Sequence, residues 1–144
     1  MNKFLLLSFF LVFGCSFGGG TPDLRTERAA PADIATIEFP VSRKTYTDSF
    51  IISSASSVRL VPVTRGITES LGNIPEYRLF SIAAGSPADC LTLKNGDVLV
   101  AVNGFYLYDM NKFSQYLTLL RGQNGGSFEI RRENRPMMIK FYFQ

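Results

Sequence analysis

Cys15 and Cys90 are the two thiols of a 144-residue chain that contains no histidine. Without an imidazole, neither a Ser-His-Asp nor a Cys-His relay can activate a nucleophile, and an HExxH zinc site cannot form. Two thiols make at most one disulfide and cannot complete a Cys-only zinc site. These residue types predict a chain that is not an enzyme and uses no metal or cofactor. Fifteen Lys plus Arg stand against twelve Asp plus Glu, a net charge of +3, and there is no Lys/Arg block. A nucleic-acid partner is therefore not expected.

The context of Cys15 gives it a different chemistry. Met1 to Gly14 reads MNKFLLLSFFLVFG, with Lys3 ahead of an apolar run from Phe4 to Phe13 broken only by Ser8. This is the pattern of a secretory signal, and the run falls well short of the roughly twenty residues that span a bilayer as a helix. Val12-Phe13-Gly14-Cys15 resembles the lipobox of bacterial lipoproteins, although Phe13 is bulkier than the usual occupant and Val12 stands where Leu is commonest. The resemblance implies removal of residues 1–14 and a lipid anchor on Cys15. Each buried methylene contributes about 0.8 kcal/mol, so two or three acyl chains hold stably. An ordinary secretory signal cleaved a few residues later, with Cys15 incidental, is the alternative. The expected location is the periplasm-facing cell envelope, lipid-anchored to a membrane, and Ser16, which resembles outer-membrane sorting in enteric bacteria, favours the outer one. Cys90 would then lack an intrachain partner. Its position between Gly85-Ser86-Pro87-Ala88 and Leu91 predicts burial and no disulfide.

Residues 15–40 have the composition of a flexible tether, with three consecutive glycines, three prolines and alternating charges. A lead-in segment over 41–56 favours a short helix from Arg43 to Ser53. The folded domain is expected over 57–144. Val58 to Val63 alternates with period two and reads as a strand, which Pro62 confines to a sheet edge or a bulge. Tyr77 to Ile82 is a second strand. Ser86 is placed to cap a short helix that begins at Pro87. Asp97 to Val102 is a buried strand closed by the Asn103-Gly104 turn. Asp109 caps a helix from Met110 to about Leu120, with Met110, Phe113, Leu117 and Leu120 on one face. Gly122 to Gly126 ends that helix, and two strands, Ser127 to Arg132 and Met137 to Phe143, complete the chain.

The string YRLFSIAAGSPADCLTLKNGDVLVAVNG over residues 77–104 resembles the heart of bacterial PDZ domains, carried by Gly85, Ser86, Pro87, Ala88, Leu93, Gly96, Asp97, Val98, Asn103 and Gly104. Several of these have physical reasons: Gly96 for a tight turn, Asp97 to accept from nearby amides, Asn103-Gly104 for positive φ. Thr92 stands where the family usually has a left-handed Gly, which predicts a different end to the short helix. The implied fold class is α+β: a PDZ-like, five- to six-stranded, partly open antiparallel β-barrel or sandwich with one short and one longer helix.

A narrower resemblance runs through Ser42-Arg43, Val61-Pro62, Tyr77 to Ile82, Gly85-Ser86 and Asn95 to Val98. It is to the periplasmic PDZ portion of the C component of type II secretion systems. That family has a transmembrane helix and a secretin-binding homology region before the PDZ domain, and this chain has a lipobox-like anchor and a linker there instead. Both resemblances imply a protein or peptide segment bound by strand addition, with Leu60, Phe113, Tyr116 and Leu117 lining the groove. Secretion-machinery components or exported proteins are the implied partners. The usual apolar-apolar-Gly-apolar carboxylate loop is replaced by Ser53 to Ser57, so an internal segment is as suitable a ligand as a free C-terminus. Arg59 and Arg65 either select acidic partners or form a solvated face. The alternative function is an accessory PDZ lipoprotein of an envelope protease.

The anchor is directly measurable. Intact mass of membrane-extracted protein is expected to lack residues 1–14 and to carry acyl mass on Cys15, and Cys15→Ser is expected to release the protein to the soluble envelope fraction. Soluble, unmodified wild-type protein excludes the anchor.

Overall fold

The computed structural model describes residues 30–52, 58–63 and 76–144. The signal segment, Cys15, residues 15–29 of the expected tether, the Ser53 to Ser57 stretch and Arg65 lie outside the described residues.

Apolar residues at every second position build one mixed sheet of seven strands. They are β1 (Ala35–Val41), β2 (Arg59–Val63), β3 (Glu76–Phe80), β4 (Val98–Val102), β5 (Phe105–Tyr106), β6 (Gly125–Arg132) and β7 (Arg135–Phe143). The order is β1-β7-β6-β4-β3-β2, with β5 attached to β4. All pairings are antiparallel except β1 with β7. The helices are α1 (Arg43–Ile52), α2 (Pro87–Cys90) and α3 (Met110–Leu119), the last running into a 3-10 turn at Leu120–Gly122. One sheet face, including Leu79, Leu99, Phe128, Ile130 and Ile139, closes on Phe113, Leu117 and Leu120 to form the core. The fold is thus α+β and, from β2 onward, PDZ-like in its order of elements.

Three details depart from the sequence reading. β1 lies within the stretch whose composition reads as tether. Its Ile37, Phe39 and Val41 sit opposite Ile139, Phe141 and Phe143, a parallel partner about a hundred residues away that leaves no local signal. The sheet is consequently larger than expected and not wholly antiparallel. The lone Asn103-Gly104 turn also begins a short fifth strand, Val102 pairing with Phe105. Finally, Gly125 and Gly126 belong to β6 rather than to the end of α3, because Tyr116 and Phe141 approach their Cα atoms too closely for a side chain.

A bulge between Leu99 and Ala101 adds one residue to β4 against β6. It returns Val102 to the core-facing side, opposite Phe128. The β6–β7 hairpin turns through Glu133 and Asn134, both at positive φ of 51° and 64°, as a two-residue turn matched to strand twist requires.

The lead-in helix is an integral part of the domain. Tyr46 is fully buried, and its hydroxyl donates to the Leu117 carbonyl at 2.7 Å. Arg43 donates to the carbonyls of Arg121 at 2.8 Å and Gln123 at 3.0 Å while stacking over Phe143. The carbonyls around the end of α3, which have few partners of their own, are thereby satisfied from α1. Burial holds the Tyr46 hydroxyl well above the ordinary tyrosine range.

Asp97 organises the opposite end. Its buried carboxylate accepts two bonds from Arg132, each 2.8 Å, and one from the Lys94 amide at 2.8 Å. Arg132 also donates to the Thr92 carbonyl at 2.9 Å. Thr92 takes φ of 61°, so the backbone expected of Gly forms on a β-branched residue and the helix end does not change. The Leu93 amide donates to the Ala88 carbonyl at 3.1 Å and the Thr92 amide to the Asp89 carbonyl at 2.9 Å, the paired bonds of a Schellman end. Burial of Leu91 and Leu93 on either side holds the conformation.

The left-handed region costs an L-residue roughly 1–2 kcal/mol, and the Thr92 hydroxyl is buried without a partner. Thr92→Gly is expected to stabilise the domain by about 1 kcal/mol after the entropy cost of glycine, read as a higher urea midpoint at unchanged slope.

Candidate functional site: an open strand edge beside a helix

Both terminal strands of the sheet could in principle accept another strand, and backbone parity decides how each is presented. The Gln144 amide donates to the Val41 carbonyl at 3.0 Å, and the Arg43 amide to the Gln144 carbonyl at 3.0 Å. Odd-numbered residues of β1 therefore face β7, and even-numbered ones face outward. Pro40 is one of the outward set, so the β1 edge lacks a donor there, a common protection of exposed edges.

At the other end, the Leu79 amide donates to the Asp97 carbonyl at 2.8 Å and the Leu79 carbonyl accepts from Gly96 at 2.8 Å. Both polar groups of Leu79 are thus turned toward β4, which leaves Arg78 and Phe80 to bond β2. In the β2–β3 register, Leu60 lies opposite Leu79 and Pro62 opposite Tyr77. Leu60 and Pro62 are therefore the positions whose backbone groups point away from the sheet. The proline costs no ladder bond, which is why it is tolerated in β2. Among the described residues no strand covers this edge.

The four residues expected to line a groove are placed at different depths. Leu60 is half-buried and packs against the core. Phe113 is fully buried, tilted against Phe128 with ring centroids 6.1 Å apart. Leu117 retains 6% exposure. Tyr116 is half-buried, edge-on to Phe128 at 5.9 Å and seated over Gly126, where a Cβ would come within 2.5 Å of its hydroxyl. That hydroxyl is buried beside Asn103 without a well-formed hydrogen bond, and burial pushes it up to about 12, with the Asn103 side chain opposing the shift. Leu60, Phe113, Tyr116 and Leu117 thus belong to one apolar cluster joining β2, α3 and β6. Tyr77, opposite Pro62, donates to the Tyr108 carbonyl at 3.1 Å. This bond sets the Pro62 end of β2 near the start of α3, whose Asp109 cap accepts from the Asn111 amide at 2.9 Å.

The motif residues act structurally. Gly85, Gly96 and Gly104 adopt positive φ, as does Asn103. Ser86 caps α2 with Pro87 at its first turn, and the Asn103 carboxamide accepts from the Ser127 amide at 2.8 Å. Sequence reading did not pair Asp97 with Arg132 or Glu76 with Arg131; a buried-strand Asp and a distant exposed-looking Arg carry no spacing rule that links them. Cys90 is half-buried against the core, and burial raises its thiol, partly offset by Ser49. It is a poor nucleophile in that state. Among the described residues there is no cluster of metal-ligating side chains, and no helix is long and apolar enough to cross a membrane.

No protein-family model matches the chain, and no curated protein matches it. Several solved structures are similar. The PDZ domain of EpsC from Vibrio cholerae, residues 219-305, is 22% identical, with 63% of this chain and 99% of that chain covered and a TM-score of 0.38. The longer piece of the same domain, residues 204-305, is 23% identical over 70% of this chain and 90% of that chain, with a TM-score of 0.40. The PDZ domain of the pullulanase C protein of the type II secretion system from Klebsiella pneumoniae, solved in complex with fatty acid, is 21% identical. It covers 62% of this chain and 87% of its own, at a TM-score of 0.35.

The different depths of the apolar residues separate support from contact. Phe113→Ala is expected to cost about 3–5 kcal/mol as a cavity in the core. Tyr116→Phe, which removes only a hydroxyl lacking a good partner, is expected to be neutral or stabilising by up to about 1 kcal/mol. Chemical denaturation of the two variants checks both values.

Proposed function

We propose that this chain is a non-enzymatic, membrane-tethered PDZ protein-binding module of the bacterial cell envelope. It receives an extended segment of a partner along the outer edge of β2. The observation that carries this reading is the outward direction of the Leu60 amide and carbonyl on a terminal strand, beside an apolar cluster shared with α3. Strand addition needs these two things, backbone groups for affinity and side-chain surface for selectivity. Leu60 and the exposed part of Leu117 and Tyr116 form the ligand-facing surface, and Phe113 supports it from below. The lipid on Cys15 and the tether would present the domain to partners in the periplasm. The order of residues from Val61-Pro62 through Asp97-Val98 supports a role in type II secretion, with a component of the machinery or an exported protein as partner.

Leu60→Pro tests the reading, because it removes the outward donor while keeping the β2–β3 ladder. In-cell crosslinking of the full-length chain, followed by capture, is expected to recover secretion-machinery components or exported proteins from wild type. At least a tenfold smaller yield is expected from a folded Leu60→Pro variant. Equal recovery from both rejects the β2 edge, and recovery of an envelope protease in place of secretion components assigns the module to that system.

A further inference from the structure

Resting on strand addition at β2, we propose that this edge selects a short segment in which an apolar residue is followed directly by an acidic one. The apolar side chain would lie opposite Leu60 and the carboxylate opposite Arg59.

The length limit comes from Pro62. An antiparallel ligand residue opposite Leu60 exchanges two backbone bonds with it, whereas the position opposite Pro62 meets a carbonyl but no N–H. Within β2 there is one complete hydrogen-bonded pair, so pairing weakens beyond Pro62 and the register centres on Leu60. Side chains then follow from the pleat. The ligand residue opposite Leu60 projects to the core-facing side, where Leu60 packs. The next ligand residue lies opposite Arg59 and projects to the other face, as does the one opposite Val61.

That other face is basic at this edge. Arg59 and Arg78 are both exposed, and the register places Arg78 directly behind Val61 and the exposed Phe80 beside Arg59. Elsewhere in the sheet Arg131 is committed to Glu76 and Arg132 to Asp97. Among the described residues no carboxylate pairs with Arg59 or Arg78. A carboxylate directly across from Arg59 forms an opposite-charge cross-strand pair and is also within reach of the longer Arg78 side chain, past the small Val61. A basic ligand residue there would face two like charges.

The experiment is selection from a display library of random hexapeptides, internal in sequence, against the full-length chain in detergent micelles, with wild type, Arg59→Glu and Leu60→Pro in parallel. Wild type is expected to enrich an apolar residue followed by Asp or Glu. Replacing that acid by its amide in a synthetic capped hexapeptide is expected to weaken binding roughly two- to fivefold, with the loss shrinking as salt rises. Arg59→Glu is expected to invert the preference to Lys or Arg at that one position. Enrichment without an acid, an acid preceding the apolar residue, or a preference that Arg59→Glu does not move overturns this inference and leaves strand addition standing. If no selected peptide loses binding in Leu60→Pro, strand addition fails and this inference fails with it.

Discussion

The direction in which Leu79 turns its backbone is the constraint on which the site depends. Its amide and carbonyl are both consumed by the Gly96-Asp97 segment, and in an antiparallel ladder that choice propagates one strand further without freedom. Arg78 and Phe80 must then bond β2, and Leu60 and Pro62 must face out. The Gly96-Asp97 segment is in turn held by the Asp97 carboxylate, which gathers the Lys94 amide and both arms of the Arg132 guanidinium. The bidentate bonds to Asp97 raise the Arg132 guanidinium further above its already high range. A buried carboxylate with these partners is well satisfied, and removing either charge would leave the other uncompensated.

The two ends of the domain are closed by different means. At the α2 end, a charge-assisted network ties a helix terminus, a turn and β6 together through Thr92, Lys94, Asp97 and Arg132. At the α3 end, α1 supplies Arg43 and Tyr46 to carbonyls that would otherwise have few partners. Between them β1 and β2 terminate the sheet, and each carries a proline at an outward-facing position. Pro40 removes a donor from the β1 edge, and Pro62 shortens the β2 edge while sparing Leu60. A sheet with two unprotected long edges invites self-association; here each terminal strand carries a proline that interrupts its outward row of donors.

Much of this was legible from residues. Ser86, Pro87, Asn103, Gly104 and Asp109 mark caps and turns by chemistry that acts within a few residues, and α2, α3, the β4–β5 turn and the approximate limits of β2, β3 and β7 follow from them and from period-two alternation. β1 was not legible, because its one strand partner among the described residues is the distant β7 and its composition matches a linker. The start of β6 was hidden by glycines that read as a helix stop but serve close packing against Tyr116 and Phe141. Thr92 shows the converse: a residue of the wrong type is forced into the family's backbone conformation by the bonds around it.

For the site, the sequence by itself determined that catalysis by imidazole or by a Cys-only zinc centre is excluded, that Pro62 belongs at an edge, and that Leu60 and the Phe113-Tyr116-Leu117 face are apolar. These are properties of residue type and near spacing. Tertiary structure alone decided which backbone groups point outward, which of the apolar residues are buried, and which arginines have no carboxylate partner among the described residues. Those depend on strand register and on partners tens of residues distant, which a one-dimensional pattern does not encode.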